Sequence, residues 1–410
     1  MLREICSVSD REDDDFVGLR FTDGTPSVVF PRGFAIPDDD KQLRRDTLRL
    51  LSTIGKFGGR REGDRIRDAQ EEVLLSFPIL SYQYIIYDFL SRGYYSENEV
   101  RYVESTKGKI NWKRTMQKKQ AQLDAGNVVY LNFVVKTNHI QNDNLISKIH
   151  EYCVYDSFKK LGWLYVGTDL LPRKPSVRFN KRLFLSVLQH EMGNTFNEQK
   201  RRLFQSMINV LSWTPESGDD QSDASYGVNR FEHIWEGMID YVFGDENREL
   251  YYPRARWKII RGRGYEAESS ELRPDTVVKL GDKVFILDAK YYKYGITFNP
   301  FHLPQTDSIQ KQITYGEYVA RKGFAERNNI YNAFIMPFNC GGDEPFRFVS
   351  VGTADWKEYS EGSPNYEFVL GILLDTTYLL RSYAKHNMEE IEKVTTLIEQ
   401  SLAEYRATAD

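Results

Sequence analysis

The residues best suited to chemistry in this chain of 410 residues lie between positions 274 and 290, in the run PDTVVKLGDKVFILDAK. The run reads as a β-hairpin turning on Gly281-Asp282, a dipeptide of the kind that two-residue turns favour. Residues equidistant from such a turn face each other, which sets Asp275 against Asp288 with both side chains on one face. Cβ atoms of directly opposed residues stand about 4.5–5.5 Å apart, and like charges there are destabilising unless something neutralises them. A divalent cation would do so. Lys290, two residues beyond Asp288, returns to the same face through the period of two in a strand. Two carboxylates with phosphate and water make a natural Mg²⁺ site, and a bound ion polarises phosphate and activates water. Lys290 would position that water and offset charge on the phosphorus, or act as a general base. The stretch 284–287 is wholly apolar, as expected of a strand inside a sheet, and ionised residues at the end of such a strand mark a site. The competing interpretation is an ordinary buried hairpin whose acids reach solvent at its ends.

Other elements must bring the remaining groups to this hairpin. A helix is expected over 231–243, with Phe231, Ile234, Trp235 and Met238 as its apolar stripe. Glu232 and Glu236 stand one turn apart on the border of that stripe, and either can lean towards the acid pair; His233 is read as structural. Between helix and hairpin, Arg254, Arg256, Lys258, Arg261 and Arg263 surround Trp257, which makes a phosphate-binding strand or a merely solvated one. A further helix at 307–321 carries Gln310, Lys311 and Gln312, of which Gln312 is taken as a DNA contact.

A chain of 410 residues exceeds the roughly 250–300 residues of a single core, so two domains are expected. The stretch TPESGDDQSDASYG at 214–227 breaks the composition and is read as a linker or exposed loop. It divides a mixed α/β N-terminal domain, 1–213, from a C-terminal domain, 228–410. In the first, helices are expected at 41–57, 71–91 and through 142–212, strands between 100 and 135, and an edge strand between solvated acidic loops at 27–30. The segment 108–115 reads as a loop with Trp112 anchored in the N-terminal core, or as a surface whose Lys113 and Arg114 engage a partner or DNA.

Bulk properties narrow the function. A net charge of -4 argues against a protein that coats nucleic acid indiscriminately, so any DNA site must be local. Cys6, Cys153 and Cys340 offer neither a disulfide framework nor a CxxC metal pair. Neither a signal peptide nor a membrane span is visible, and a cytoplasmic location is expected. No Walker-type loop appears, so the chain has no visible nucleotide site of its own.

With its acids and lysine so spaced, the chain resembles the PD-(D/E)xK nuclease superfamily: Asp275 matches the first acid, Asp288 and Lys290 the second acid and the lysine. More narrowly it is similar to LlaJI-type restriction endonucleases, relatives of the McrC nuclease subunit, through GKINWKRT at 108–115, Ile234-Trp235-Glu236, and LPQTDSIQKQITY at 303–315. The resemblance implies an α/β (α+β) chain whose C-terminal domain is restriction-endonuclease-like, with a mixed central sheet flanked by helices. It implies Glu236 as the helix acid, Glu236, Asp275 and Asp288 around Mg²⁺, and cleavage of double-stranded DNA in a restriction or phage-defence system. It further implies an McrB-like AAA+ GTPase as partner and a cognate DNA methyltransferase. Some relatives carry Gln-x-x-x-Tyr after the hairpin, whereas Gln312 precedes Tyr315 by three. The rival functions are a non-catalytic adaptor that stimulates the GTPase, and a structure-selective repair nuclease.

Overall fold

The computed structural model describes residues 2–9, 15–58, 73–75, 77–124, 127–141, 144–165, 172–215, 223–259, 266–268, 271–341, 347–356 and 362–409. They form two compact units, and the division is not the sequential one expected. One unit joins Met1–Ser76 to Asp223–Asp410, and the other is Phe77–Ser222. The expected linker at 214–227 ends in a strand, Ala224–Val228, and its residues 216–222 lie outside the described residues.

That strand is what draws the N-terminus into the first unit. It pairs antiparallel with Val17–Thr22 on one side and with Val73–Leu75 on the other. Val17–Thr22 also pairs with Thr25–Phe30, through a two-residue turn in which Asp23 and Gly24 both have positive φ, as a type I′ turn requires. Thr25–Phe30 pairs in turn with Cys6–Val8, so the segment expected at a sheet edge is interior. Its sequence hides this because only three residues, Cys6–Val8, cover it. The helix Asp40–Phe57 starts under the Asp39 carboxylate, which accepts from the amides of Lys41 and Gln42. It buries Leu43, Leu50, Leu51 and Ile54.

The second sheet of this unit has five strands: Thr276–Leu280, Lys283–Ala289, Ile330–Phe338, Val369–Asp375 and Phe348–Ala354, in that spatial order. The outer pairings are antiparallel and the two inner ones parallel, which is the mixed sheet expected. The helix Thr306–Arg321 covers one face, with Tyr315 and Val319 packed on Val277, Val284, Ile286 and Ile330. Residues of opposite parity face the Met388–Ala409 helix, where Lys283 Nζ lies 2.8 Å from Glu399. Beside that helix runs Glu232–Phe243, burying Ile234, Trp235, Met238, Ile239, Val242 and Phe243, an i, i+3, i+4 stripe wider than the one expected.

The unit Phe77–Ser222 holds the helices Ile79–Arg92, Leu145–Tyr165, Lys181–Asn194 and Glu198–Trp213. A strand and a break replace the first turns of the expected 71–91 helix, because a residue preceding Pro78 is disfavoured in helical conformation. Phe77, Tyr82 and Trp213 pack together, and the Tyr82 hydroxyl donates to Asp156 at 2.9 Å. A three-stranded sheet in the order Glu97–Glu104, Val134–Gln141, Lys109–Ile110 carries the short helix Trp112–Lys118. Trp112 is 53% exposed, not anchored in a core, because the helix is fastened through Thr115. The buried Thr115 hydroxyl accepts from the Val134 amide and donates to the Asn111 carbonyl. Among the described residues no helix is long and apolar enough to cross a membrane, and the three cysteines are free thiols.

The pairing of Val17–Thr22 with Ala224–Val228 depends on two glycines in register, Gly18 and Gly227. Gly18 has φ +144°, and a Cβ there would strike the Tyr226 carbonyl; one on Gly227 would strike the Phe16 ring and the Val17 carbonyl. Gly18→Ala and Gly227→Ala are each expected to cost about 3 kcal/mol or more of stability. Chemical denaturation measures this, and an unchanged midpoint would mean the two strands are not in contact.

Candidate active site

The hairpin forms in the expected register, with Thr276 opposite Leu287 and Leu280 opposite Lys283. Gly281 supplies the positive φ of +63° that the turn needs at its first central position. Continuing the register sets Asp275, just before the first paired residue, against Asp288. Asp275 Oδ2 accepts from the Ala289 amide at 3.0 Å, and its carbonyl accepts from Arg248 Nη1 at 3.1 Å. Arg248 in turn lies 2.5 Å from Asp240 on the Glu232–Phe243 helix, so that helix holds the start of the hairpin.

Asp288 is 3% exposed, near the end of a strand buried from Val284 onward. Lys290 Nζ lies 2.5 Å from Asp288 Oδ2. The Lys290 amide donates to the Ile335 carbonyl at 2.9 Å, and the indole of the fully buried Trp235 donates to the same oxygen at 3.2 Å. The helix, the strand Lys283–Ala289 and the neighbouring parallel strand therefore meet at one carbonyl. These groups sit at the carboxyl ends of the parallel strands, the edge where open α/β sheets place their ligands.

Charge at this edge is out of balance. Burial first, then the charges of Asp288 and Glu236, push the Asp275 carboxyl up to about 8 from an ordinary 3.8, against the Ala289 amide and Lys290. Burial pulls the Lys290 ammonium down, but the charge and hydrogen bond of Asp288, with help from Asp275, outweigh it and raise the group above the usual lysine value. Of the two helix acids, Glu236 is the one whose charge reaches Asp275; Glu232 is held by Arg230 at 2.5 Å. Glu236 Oε2 also lies 3.4 Å from His233 Nδ1.

Tyr315 was legible in the sequence only as part of an imperfect motif. It is fully buried, its hydroxyl has no hydrogen-bond partner among the described residues, and burial followed by the charges of Asp288 and Asp275 raises its pKa. An orphaned phenol next to two mutually repelling carboxylates is a chemical fit for a hydrated divalent cation, which would neutralise the acids and bring water to the hydroxyl. Among the described residues no three His, Cys, Asp or Glu side chains are drawn together tightly enough to ligate an ion as they stand. Asp288 is turned to Lys290 and Glu236 towards His233.

The residues expected to contact DNA fare differently. Gln312 is 1% exposed, and its amide donates to the Ile286 carbonyl at 2.8 Å while its own main-chain carbonyl accepts from Asn332 at 3.0 Å. It ties the Thr306–Arg321 helix to the strand Lys283–Ala289, with its side chain inside the core rather than on a surface open to DNA. Arg254 is ion-paired with Glu271. Arg256 and Lys258 lie in a two-stranded ribbon, opposite Glu268 and Glu266 in register. Trp257 beside them is 69% exposed. Arg261 and Arg263 lie outside the described residues.

A raised carboxyl makes the fold favour the neutral acid. The stabilisation from Asp275 is complete below its unfolded value of 3.8 and is lost as pH rises through about 8. Without divalent cations, the melting temperature is expected to fall across that window more steeply in the wild type than in Asp275→Asn, which cannot ionise. Melting curves at stepped pH in EDTA check this, and parallel profiles for the two proteins would show that Asp275 ionises normally.

Comparison with known proteins relates the chain's sequence to others. A curated relative, the "Type II restriction enzyme BsuMI component YdjA" of Bacillus subtilis (strain 168), is 25% identical over 281 residues, 63% of this chain and 59% of its own length. The chain thus matches less than two thirds of that relative. A chain in the refined half-complex from a tetradecameric assembly of Thermococcus gammatolerans McrB AAA+ hexamers with bound McrC is 15% identical. It covers 94% of this chain and 83% of that one, with a TM-score of 0.37, too loose a likeness to carry an argument. The sequence model of the LlaJI restriction endonuclease matches residues 16–357, most of both units. The chain belongs to the LlaJI restriction endonuclease family.

Proposed function

We propose that this chain is the DNA-cutting subunit of a restriction system and hydrolyses phosphodiesters with Mg²⁺ held by Asp275, Asp288 and Glu236. The single observation that supports it most is the opposition of Asp275 and Asp288 across the hairpin, with Lys290 in contact with Asp288. Mg²⁺ bound there supplies Lewis acidity to the phosphoryl oxygens and lowers the pKa of water. The protein's part is orientation and charge. Asp275 is aimed by the Ala289 amide and held through Arg248, while Lys290, kept cationic, offsets charge developing on the phosphate. The buried strand behind Asp288 excludes water from all but the working edge.

Membership of the family supports nuclease activity, and the word "component" in the relative's name favours a subunit over a self-sufficient enzyme. The AAA+ GTPase partner, the cognate methyltransferase, double-stranded DNA as substrate and a cytoplasmic location belong to this same reading. They rest on the sequence resemblance and on the absence of a Walker-type loop from this chain.

Incubation with duplex DNA and Mg²⁺, with and without the AAA+ protein and GTP, tests the proposal. Asp288→Ala, Asp275→Asn and Lys290→Ala are each expected to lower the cleavage rate by about a hundredfold or more. Equal cutting by wild type and Asp288→Ala would sink the assignment. Glu236→Gln should join the inactive variants while Glu232→Gln, already paired with Arg230 on the surface, should cut within about threefold of wild type; the reverse pattern would exchange the two roles.

A further inference from the structure

The unit Phe77–Ser222 carries a concentration of positive charge that the hairpin site does not use. Between residues 102 and 136 seven Lys and Arg stand against two acids, Glu104 and Asp124, in a chain whose net charge is -4. The fold gathers several of these cations on one face of the three-stranded sheet. Tyr102 is opposite Lys136 in register, and Lys136 is opposite Lys109, so the three share a row across the strands Glu97–Glu104, Val134–Gln141 and Lys109–Ile110. Arg114, from the helix Trp112–Lys118, lies 3.6 Å above the Tyr102 ring and adds a third cation to that row.

Two lysines directly opposed on neighbouring strands repel each other, and such pairs are selected against unless a counter-charge meets them. Among the described residues, Lys119 meets one, the Glu104 carboxylate, whereas Lys109, Lys136, Arg114 and Lys113 meet none. Aromatic surface is interleaved with the charge. Trp112 is 53% exposed, with its edge against Phe133 at 5.8 Å, and Tyr102 is 36% exposed. Asn111 caps the helix, and the Thr115 hydroxyl, accepting from the Val134 amide, ties it to the sheet. Glu104, two residues from Tyr102 on the same strand face, is the acid there and is engaged by Lys119, so cations outnumber acids on the face. Clustered cations beside flat rings are the complement of a phosphate backbone.

We propose that the face formed by Tyr102, Lys109, Arg114 and Lys136 binds the phosphate backbone of duplex DNA, as a second DNA-contacting surface distinct from the acid pair. The choice of DNA among polyanions rests on the nuclease reading above. The surface contributes holding and no chemistry, and its affinity falls with salt because each phosphate contact releases a counterion.

Fluorescence anisotropy with a labelled duplex of about 30 base pairs in EDTA reads binding without cleavage. Lys109→Gln combined with Lys136→Gln is expected to weaken binding about tenfold at physiological salt and to reduce the slope of log Kd against log salt by about two. Its melting temperature should be unchanged or raised, because a repulsive pair has been removed. Arg114→Gln alone should lower the slope by about one. The assay reads binding in EDTA, where the acid pair cuts nothing, so a failure of the cleavage assignment leaves this measurement standing. Wild-type affinity and slope in the double variant would overturn the proposal, as would a wild-type protein that does not bind duplex. Retained DNA affinity with lost binding to the AAA+ protein would overturn it too and assign the face to a protein.

Discussion

The register of the hairpin at Gly281-Asp282 is the constraint on which the rest of the site depends. Side chains alternate along a strand, so a slip of one residue would send Asp288 to the opposite face and leave Asp275 facing a hydrophobic partner. Three features prevent the slip. Gly281 supplies the turn's positive φ, the interior strand is held on both edges, and the Ala289 amide is already bonded to Asp275. The electrostatic tension between the two acids therefore persists because it cannot be relieved by sliding. It can be relieved by a proton on Asp275 or by a cation.

The N-terminal residues act on this edge although they are far away in sequence. Arg32, 5% exposed, donates its amide to the Tyr291 hydroxyl at 2.6 Å and its guanidinium to the Tyr291 carbonyl at 2.7 Å, one residue past Lys290. Asp46, fully buried, is gripped by Arg381 at 2.6 Å and by Gln42, which locks the Asp40–Phe57 helix to the helix that follows the Val369–Asp375 strand. The Ala35 amide donates to Thr377 Oγ1 at 2.7 Å. The chain immediately after the lysine is thus buttressed from a segment that its sequence position would assign elsewhere.

What the sequence made legible follows from how local the determining forces are. The hairpin, the stripe of the Glu232–Phe243 helix and the buried strand are set by turn chemistry and periodicity within about twenty residues, and all three were readable. The discontinuous unit was not, because the strand Ala224–Val228 is glycine-bearing, short and preceded by a run that reads as linker, and its partners lie about 150 and about 200 residues upstream. Gln312 read as a DNA contact because polarity was the only guide; a buried side chain that donates to the Ile286 carbonyl is satisfied just as well. The ribbon that sets Arg256 and Lys258 opposite Glu268 and Glu266 was not legible because its second strand, Glu266–Glu268, is three residues long.

The paired strands Val73–Leu75 and Ala224–Val228 set an order of events during synthesis. Val17–Thr22 leaves the ribosome early, yet the strand that covers its open edge emerges roughly two hundred residues later, and the sheet bearing the acids later still. For that interval the newborn chain presents an uncapped β-edge, the geometry most prone to pairing with a stranger. Asp275, Asp288 and Lys290 all follow Ala224–Val228 in the chain, so the acids and the lysine come together only after that edge can be covered.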